Sequence, residues 1–253
     1  MSVSVLIPSF NDGILMRCFA SMERRQPGSM RRVIVLDNGL SPKLRAGPPQ
    51  VTFVDVPSDP FVFPQAFNLG VAAAPRGHSI VALGDDLEIL TDHWLSRIEV
   101  LVAHWPVGYG VLTFEEERTR ETRPDYHGGL YELQDVALGA GIVLPRPVLD
   151  EVGPWDETLV GYGFDDFDYG IRLWHAGYKL GISDAVLVRN ERQAAAWVER
   201  LGSYEAVLAR QDTNFEIFHR RWLGAVPAKP WVVQRPRAAE HFRRQSCACV
   251  GSA

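Results

Sequence analysis

Two groups of neighbouring carboxylates are the residues most able to do chemistry in this sequence. The adjacent residues Asp85 and Asp86 come after the apolar run Ile80–Leu83, and Gly84 lies between that run and Asp85. Adjacent carboxylates repel each other unless a cation or hydrogen-bond donors compensate their charge. Oxygen ligands of this kind suit Mg²⁺ or Mn²⁺ held together with a diphosphate. Because a metal neutralises charge on a leaving phosphate, the first pair predicts a metal-assisted diphosphate site.

The second group is Asp165, Asp166 and Asp168, at the start of a helical pattern. Acids in the first turn are stabilised by the helix dipole, so a purely structural role is one interpretation. Aromatic residues surround the group, among them Tyr162 and Phe164. Aromatic rings stack on a pyranose face, and an exposed Asp can act as a general base. A sugar site is therefore the other interpretation, and the residues alone leave both open.

The elements that must position these acids alternate between strand and helix. Buried strands are predicted for the apolar runs 3–7, 33–36, 51–54 and 79–83, and helices for 12–22 (with Asp12 as a possible cap) and 65–74. Such alternation predicts an α/β fold with a mostly parallel sheet, which binds ligands at the carboxyl ends of its strands. Polar clusters follow three of these strands, at Ser9–Asp12, Asp37–Asn38 and Asp85–Asp86. We therefore expect them to converge, although each alone could be an ordinary turn.

The second half of the chain has a different pattern. Helices are predicted over 92–104, 148–152, 165–176 and 193–222, strands over 107–114, 142–144 and 179–188, and a solvated loop over 115–124. We predict a single compact domain of two halves, residues 1–90 and 91–222. Residues 223–253 are rich in proline and basic side chains and are predicted to form a tail.

Composition excludes several classes of protein. The 253 residues carry a net charge of −5 and are 46% hydrophobic, which argues against a disordered or fibrous chain and weakly against a general nucleic-acid coat. Three cysteines, Cys18, Cys247 and Cys249, do not make a disulfide framework. No basic leader and no membrane-length apolar run is evident, so we expect a cytoplasmic protein.

Seven stretches carry a resemblance to a known family. They are residues 3–11, 33–39, 68–71, 80–86, 139–143, 151–157 and 163–173. In this order they resemble the family 2 glycosyltransferases, which have a GT-A fold and belong to the nucleotide-diphospho-sugar transferases. The resemblance covers roughly residues 3–190. It implies a Rossmann-like, mostly parallel central sheet flanked by helices, with the donor bound in residues 1–90 and the acceptor and catalytic residues in 91–222.

The resemblance also implies roles for individual residues. Donor-binding residues would be Pro8, Ser9, Asn11, Asp37, Asn38, Asn68, Gly84, Asp85 and Gly141. Acceptor-binding residues would be Trp155, Tyr162 and Phe164, with core packing equally open for Trp155. Asp85 and Asp86 would hold Mn²⁺ or Mg²⁺, and Asp166, paired with Asp165, would be the base. The expected reaction moves a sugar from a nucleoside diphosphate to an acceptor hydroxyl with inversion; a UDP-sugar is favoured, and GDP and dTDP donors stay open.

Three positions depart from the family pattern. Gly84 stands where the metal motif has its first acid, and Phe67 stands where an arginine is often found. A histidine common after the last strand falls near Arg189 and Asn190, so Arg189 could neutralise phosphate instead. We therefore expect metal dependence, but with weaker support than a full motif would give.

The sequence also leaves other functions and several partners open. A catalytically degenerate carbohydrate- or nucleotide-binding protein is one alternative, which Gly84 supports and the pair Asp165–Asp166 opposes. A nucleotidyltransferase is less favoured, because the loop 8–13 lacks the cations that hold a triphosphate. The acceptor hydroxyl could belong to a glycan, a small molecule or a macromolecule. The final helix and the tail could make a homodimer contact.

Overall fold

The structure is a computed structural model. It describes residues 2–47, 50–57, 61–104, 108–114, 126–127, 130–133, 141–160, 163–176, 178–190, 198 and 202–222. The predicted loop at 115–124, the predicted tail at 223–253, and Tyr162, Cys247 and Cys249 lie outside the described residues.

Strands and helices alternate from β1 to β4, and several strands follow one another in the second half of the chain. The strands are β1 (Val3–Ser9), β2 (Val33–Asp37), β3 (Thr52–Asp55), β4 (Ser79–Leu83), β5 (Leu87–Ile89), β6 (Gly108–Phe114), β7 (Tyr126–His127), β8 (Leu130–Leu133), β9 (Gly141–Leu144) and β10 (Lys179–Asn190). The helices are α1 (Asp12–Arg25), α2 (Pro42–Arg45), α3 (Phe63–Ala73), α4 (Trp94–His104), α5 (Arg146–Val152), α6 (Asp165–His175) and α7 (Tyr204–Trp222), with a 3₁₀ turn at Ser29–Arg32.

One sheet runs through both predicted halves. Its strand order is β3-β2-β1-β4-β9-β6-β10-β8-β7, and β5 pairs with β10. The block β3-β2-β1-β4 is parallel, β9 is antiparallel to both its neighbours, and β6 is parallel to β10. The predicted α/β fold with a mostly parallel central sheet flanked by helices is confirmed. The boundary at residue 90 stays a prediction.

Each face of the sheet is covered by its own hydrophobic core. Val3, Val5 and Ile7 of β1 face α1 and α4, whereas Leu6 faces the layer of α3, α5 and α6. Successive side chains of a strand point to opposite faces, so a strand covered on both sides is apolar throughout. This explains the unbroken apolar runs that predicted the central strands.

Helix α3 lies unusually close to the sheet at Gly70. A Cβ atom at Gly70 would lie 2.8 Å from Leu36 Cδ2 and 2.9 Å from Leu6 Cδ1. Only a residue without a side chain allows this approach. The close packing fixes the height of α3 above β1 and β2, and with it the position of Asn68 one half-turn earlier.

Several local features differ from the sequence predictions, among them the cap of α1 and the short elements α2, β5, β7 and β8. Asn11, not Asp12, caps α1: its Oδ1 accepts a hydrogen bond from the Ile14 amide at 3.1 Å, and Asp12 is the first helical residue. Strand β5 was not predicted, because three residues show too little periodicity. Over the residues described, we find no helix with the length and apolar character that a membrane crossing requires.

Candidate active site

The ends of β1, β2 and β4 meet at one edge of the sheet. Ser9 lies opposite Asp37 in the β1–β2 register, and the Asn38 amide donates to the Ser9 carbonyl at 3.0 Å. The Ser9 hydroxyl donates to Asp85 Oδ2 at 2.6 Å. The structure thus brings together the three polar clusters that follow the predicted strands. Gly141 lies opposite Leu83 at the same edge.

Asp85 is held in an environment that disfavours its charge. Burial raises the pKa of Asp85 to about 6; the Ser9 hydrogen bond acts against this shift, and the neighbouring charge of Asp86 adds to it. A partly buried carboxyl with a raised pKa at the strand ends of such a sheet is typical of a functional site. A cation beside it would stabilise the ionised form.

The residues at this edge fit a metal that is shared with a ligand. Within the described parts of the chain, no cluster of three or more His, Cys, Asp or Glu side chains could hold an ion. Asp85 and the adjacent Asp86 can supply two carboxylates. Mg²⁺ and similar ions are commonly held by one or two carboxylates together with substrate phosphates and water. The desolvated carboxyl of Asp85 is the observation that favours a cation here.

The end of β10 lies beside this acidic turn. In the β5–β10 register Asn190 is opposite Leu87 and Arg189 is opposite Glu88. Arg189 Nη1 lies 2.9 Å from Glu88 Oε2, so its guanidinium is engaged with Glu88. The strand end where the family often has a histidine therefore adjoins Asp86. Phosphate neutralisation by Arg189 stays a prediction.

Asp37 is buried and shapes the turn after β2. Its Oδ1 accepts hydrogen bonds from the amides of Gly39 and Leu40 at 2.9 and 2.8 Å. Arg45 Nε lies 3.2 Å from Asp37 Oδ2 and its Nη1 lies 2.8 Å from Asp55 Oδ1. The carboxylate thus accepts hydrogen bonds on Oδ1, whereas Oδ2 has the Arg45 ion pair but no hydrogen bond. Its predicted contact with the donor base stays a prediction, as does that of the buried Asn38.

Asn68 joins α3 to the segment that precedes α6. Its amide nitrogen donates to the Trp155 carbonyl at 3.0 Å and to Glu157 Oε1 at 2.8 Å, and its Oδ1 accepts from the Trp155 amide at 2.9 Å. All three bonds go to protein groups. The structure therefore gives Asn68 a bridging position, while its predicted donor contact is untested.

Trp155 belongs to the core on the α3 side of the sheet. It is 4% exposed, its ring stacks on Tyr169 with centroids 3.9 Å apart, and Phe67 lies 5.3 Å away on another side. Phe67, which stands where an arginine is often found, is itself buried against this pair. Core packing, one of the two roles predicted for Trp155, is what the structure describes; the acceptor contact stays a prediction.

The second acidic group opens helix α6. Asp166 Oδ1 accepts a hydrogen bond from the Phe167 amide at 2.9 Å. Burial, and then the charge of Asp166, raise the pKa of Asp165. Phe164, just before them, has φ +70°, a backbone region rarely occupied by bulky residues. It is 4% exposed and packs in the core, so an acceptor contact by Phe164 is also only a prediction.

Asp168 has a role that the sequence did not reveal. It is 1% exposed, and its Oδ1 accepts from Arg221 Nη1 at 2.9 Å and from Trp222 Nε1 at 2.8 Å. Arg221 and Trp222 were not singled out in the sequence, because more than 50 residues separate them from their partner. The one indication in the sequence was that three acidic residues at the start of α6 are more than a helix cap requires.

The two acidic groups are linked through β10. Helix α6 packs against β10, and the end of β10 pairs with β5 immediately after Asp86. The site thus has an acidic turn at the strand ends and a second acidic pair at a helix start, and β10 contacts both elements. An acidic turn suits a diphosphate only when a divalent cation lies between them, and an acidic pair suits a hydroxyl that is to be deprotonated.

No family model matches the chain, and no curated protein matches it by sequence. Solved structures do match. GalNAc-T7 with UDP, GalNAc and Mn²⁺ superimposes with a TM-score of 0.63 at 16% identity; the match covers 97% of this chain and 54% of that one, so this chain spans about half its length.

Two further solved structures are similar to this chain in fold. The mannosyltransferase PcManGT from Pyrobaculum calidifontis, in complex with GDP-Man and Mn²⁺, has a TM-score of 0.59 at 15% identity over 99% of this chain and 75% of that one. The catalytic domain of Drosophila β1,4-galactosyltransferase 7, in complex with xylobiose, has a TM-score of 0.50 at 16% identity over 77% and 72%. At such identities the likeness concerns the fold. The chain has the GT-A fold of the nucleotide-sugar glycosyltransferases.

Proposed function

We propose that this protein is a glycosyltransferase that moves a sugar from a nucleoside diphosphate to an acceptor hydroxyl with the help of a divalent metal. The observation that carries the proposal is the contact of Ser9 with Asp85, a desolvated carboxyl at the strand-end edge of a GT-A fold. Structural neighbours bound to UDP, or to GDP-Man, together with Mn²⁺ support a donor of this class.

In this proposal the strand-end edge binds the donor. Asp85 and Asp86 would hold Mn²⁺ or Mg²⁺, which would neutralise the charge on the leaving diphosphate. Ser9 orients Asp85 through its hydroxyl, and the turn built by Asp37 lies where the nucleoside binds. Gly141 has no side chain to obstruct the donor sugar. Uridine, guanosine and thymidine donors are all compatible with this arrangement.

The acidic pair of α6 acts on the acceptor. Asp166 takes the proton of the acceptor hydroxyl as its oxygen attacks the anomeric carbon. The bond from that carbon to the diphosphate oxygen breaks, and the electron pair leaves with the nucleoside diphosphate. A single displacement of this kind inverts the anomeric centre. Burial and the neighbouring charge of Asp166 raise the pKa of Asp165, so the two adjacent acids titrate as a pair, and in this proposal Asp166 is the member that accepts the proton.

The donor class is tested first by thermal shift with UDP-, GDP- and dTDP-sugars, each with and without Mn²⁺. A ligand at a hundredfold excess over its dissociation constant stabilises the folded state by about 2.7 kcal/mol. We expect one nucleotide to raise the melting temperature, and more so with Mn²⁺. No shift with any of the donors would contradict the proposal.

The base is tested by Asp166→Asn, with nucleotide release from the donor as the readout. We expect a loss of about 10²–10⁴-fold in turnover with donor affinity unchanged. Asp150→Asn is the control, because Asp150 is an exposed acid paired with Arg146 and lies outside the site. Unimpaired turnover by Asp166→Asn would refute its role. Donor binding by the wild type without release above background would favour the degenerate binding protein.

A further inference from the structure

The first turn of α6 is hydrogen-bonded to the end of α7. Asp168 lies two residues after Asp166, and its buried carboxylate is satisfied by Arg221 and Trp222, the last described residues of the chain. A carboxylate so deeply buried needs such donors, because an uncompensated charge in the interior is strongly unfavourable. The position of this turn is therefore coupled to the end of α7.

The same helix also contacts the residues just before α6. Asn214 Nδ2 donates to the Gly163 carbonyl at 2.8 Å. The rings of Phe215 and Phe218 lie 5.2 and 5.3 Å from the ring of Phe164. Phe164 has a left-handed backbone, and strained conformations of this kind persist only where the surroundings hold them. Helix α7 supplies those surroundings.

Arg221 extends the connection to the segment around Trp155. It forms an ion pair with Asp156 as well as with Asp168. Asp156 Oδ1 in turn accepts from the amide and the hydroxyl of Thr158. One guanidinium thus ties the segment before α6 to the first turn of α6.

We propose that Asp168, Arg221 and Trp222 form a clasp that positions Asp166 toward the acceptor, so that α7 is a working part of the active site without touching substrate. The proposal rests on the proposed function for the identity of Asp166 as base. A displacement of about 1 Å at a reacting group can reduce a rate by 10²-fold, whereas the donor, bound at the strand ends, would not be affected.

The variant Trp222→Phe tests the clasp with little disturbance. It keeps an aromatic ring beside His175, with which the indole is stacked at 5.4 Å, and removes only the N–H that reaches Asp168. Val207→Ala is the matched control, because Val207 is a buried residue of the same helix that is not part of the clasp. Asn214→Leu is a second test variant, since it removes the bond to Gly163 and leaves Asp168 untouched.

Two readouts separate positioning from general stability. We expect Trp222→Phe and Asn214→Leu to lower kcat for nucleotide release at least tenfold with KM for the donor unchanged, at a temperature where all variants are folded. We expect the Asp168 amide, which bonds to the Phe164 carbonyl at 2.9 Å, to exchange its hydrogen at least tenfold faster. Val207→Ala should change neither quantity.

The outcomes distinguish the two proposals. A wild-type protein that releases no nucleotide from any donor contradicts the proposed function, while hydrogen exchange still decides whether the clasp orders the first turn of α6. Wild-type turnover together with an unchanged kcat in both test variants overturns the positioning role. Unchanged exchange at Asp168 in both variants overturns the clasp itself.

Discussion

Replacing Asn68 with alanine should separate its bridging position from its predicted contact with the donor. The side chain makes three hydrogen bonds, two of them to the backbone of Trp155. Each hydrogen bond contributes about 0.5–1.5 kcal/mol net, and a buried group left without a partner costs about 1–3 kcal/mol. The bond to the exposed Glu157 adds little, and alanine regains about 0.5 kcal/mol of helix propensity. The expected loss of unfolding free energy is about 2–3 kcal/mol.

Urea unfolding monitored by tryptophan fluorescence measures this loss. With an m-value of about 3 kcal/mol/M, the midpoint should fall by about 0.7–1 M. Leu69→Ala is the control, since Leu69 is the next residue of α3 and is exposed. Its midpoint should move far less.

Donor binding measured on the same variant completes the experiment. If Asn68 acts only as a bridge, Asn68→Ala keeps its donor affinity at temperatures where it is folded. An unchanged urea midpoint together with a loss of donor affinity would refute the reasoning from the three bonds and would identify Asn68 as a ligand contact.

Three further predictions follow from the burial of Asp85 and the close packing at Gly70. The pKa of Asp85 is raised from 3.8 to about 6, so the folded state holds this proton more tightly than the unfolded chain. Protonated Asp85 therefore adds to the free energy of unfolding below about pH 4, and this stabilisation is lost as the pH rises to about 6. Asp85→Asn should remove this pH dependence, which urea unfolding at several pH values would measure. Mn²⁺ binding should strengthen over the same range, because the metal needs the ionised carboxyl. Gly70→Val forces a side chain against Leu6 and Leu36 and should cost about 1–3 kcal/mol, with a melting temperature lower by several degrees; an unchanged melting temperature would contradict the close packing of α3.

Much of the fold was open to prediction from the sequence. Residues 79–83 were predicted as a strand and β4 has those bounds, and α6 begins at Asp165 as expected. These segments are strongly apolar or strongly periodic, so local patterns suffice. Short pieces such as α2 and β5 were missed, because a few residues carry too little pattern.

The strand-end part of the candidate site was predictable from the sequence, whereas the surroundings of Trp155 were not. Asp37 is the last residue of the buried strand β2 and Asp85 follows the buried strand β4, and the carboxyl ends of parallel strands meet at one edge. Their convergence therefore followed from the order of elements. The burial of Trp155 against Tyr169 did not, because the same residue type in the same motif could equally have lined a pocket.

The sequence by itself determined the alternation of strands and helices, and with it the edge at which Ser9, Asp37 and Asp85 lie. Only the tertiary structure decided which side chains meet across long separations: Ser9 with Asp85, Asn68 with Trp155, and Asp168 with Arg221. The reason is physical. Local patterns report which face of an element is buried, whereas partners on different elements depend on how those elements pack, and nothing near either residue encodes the other.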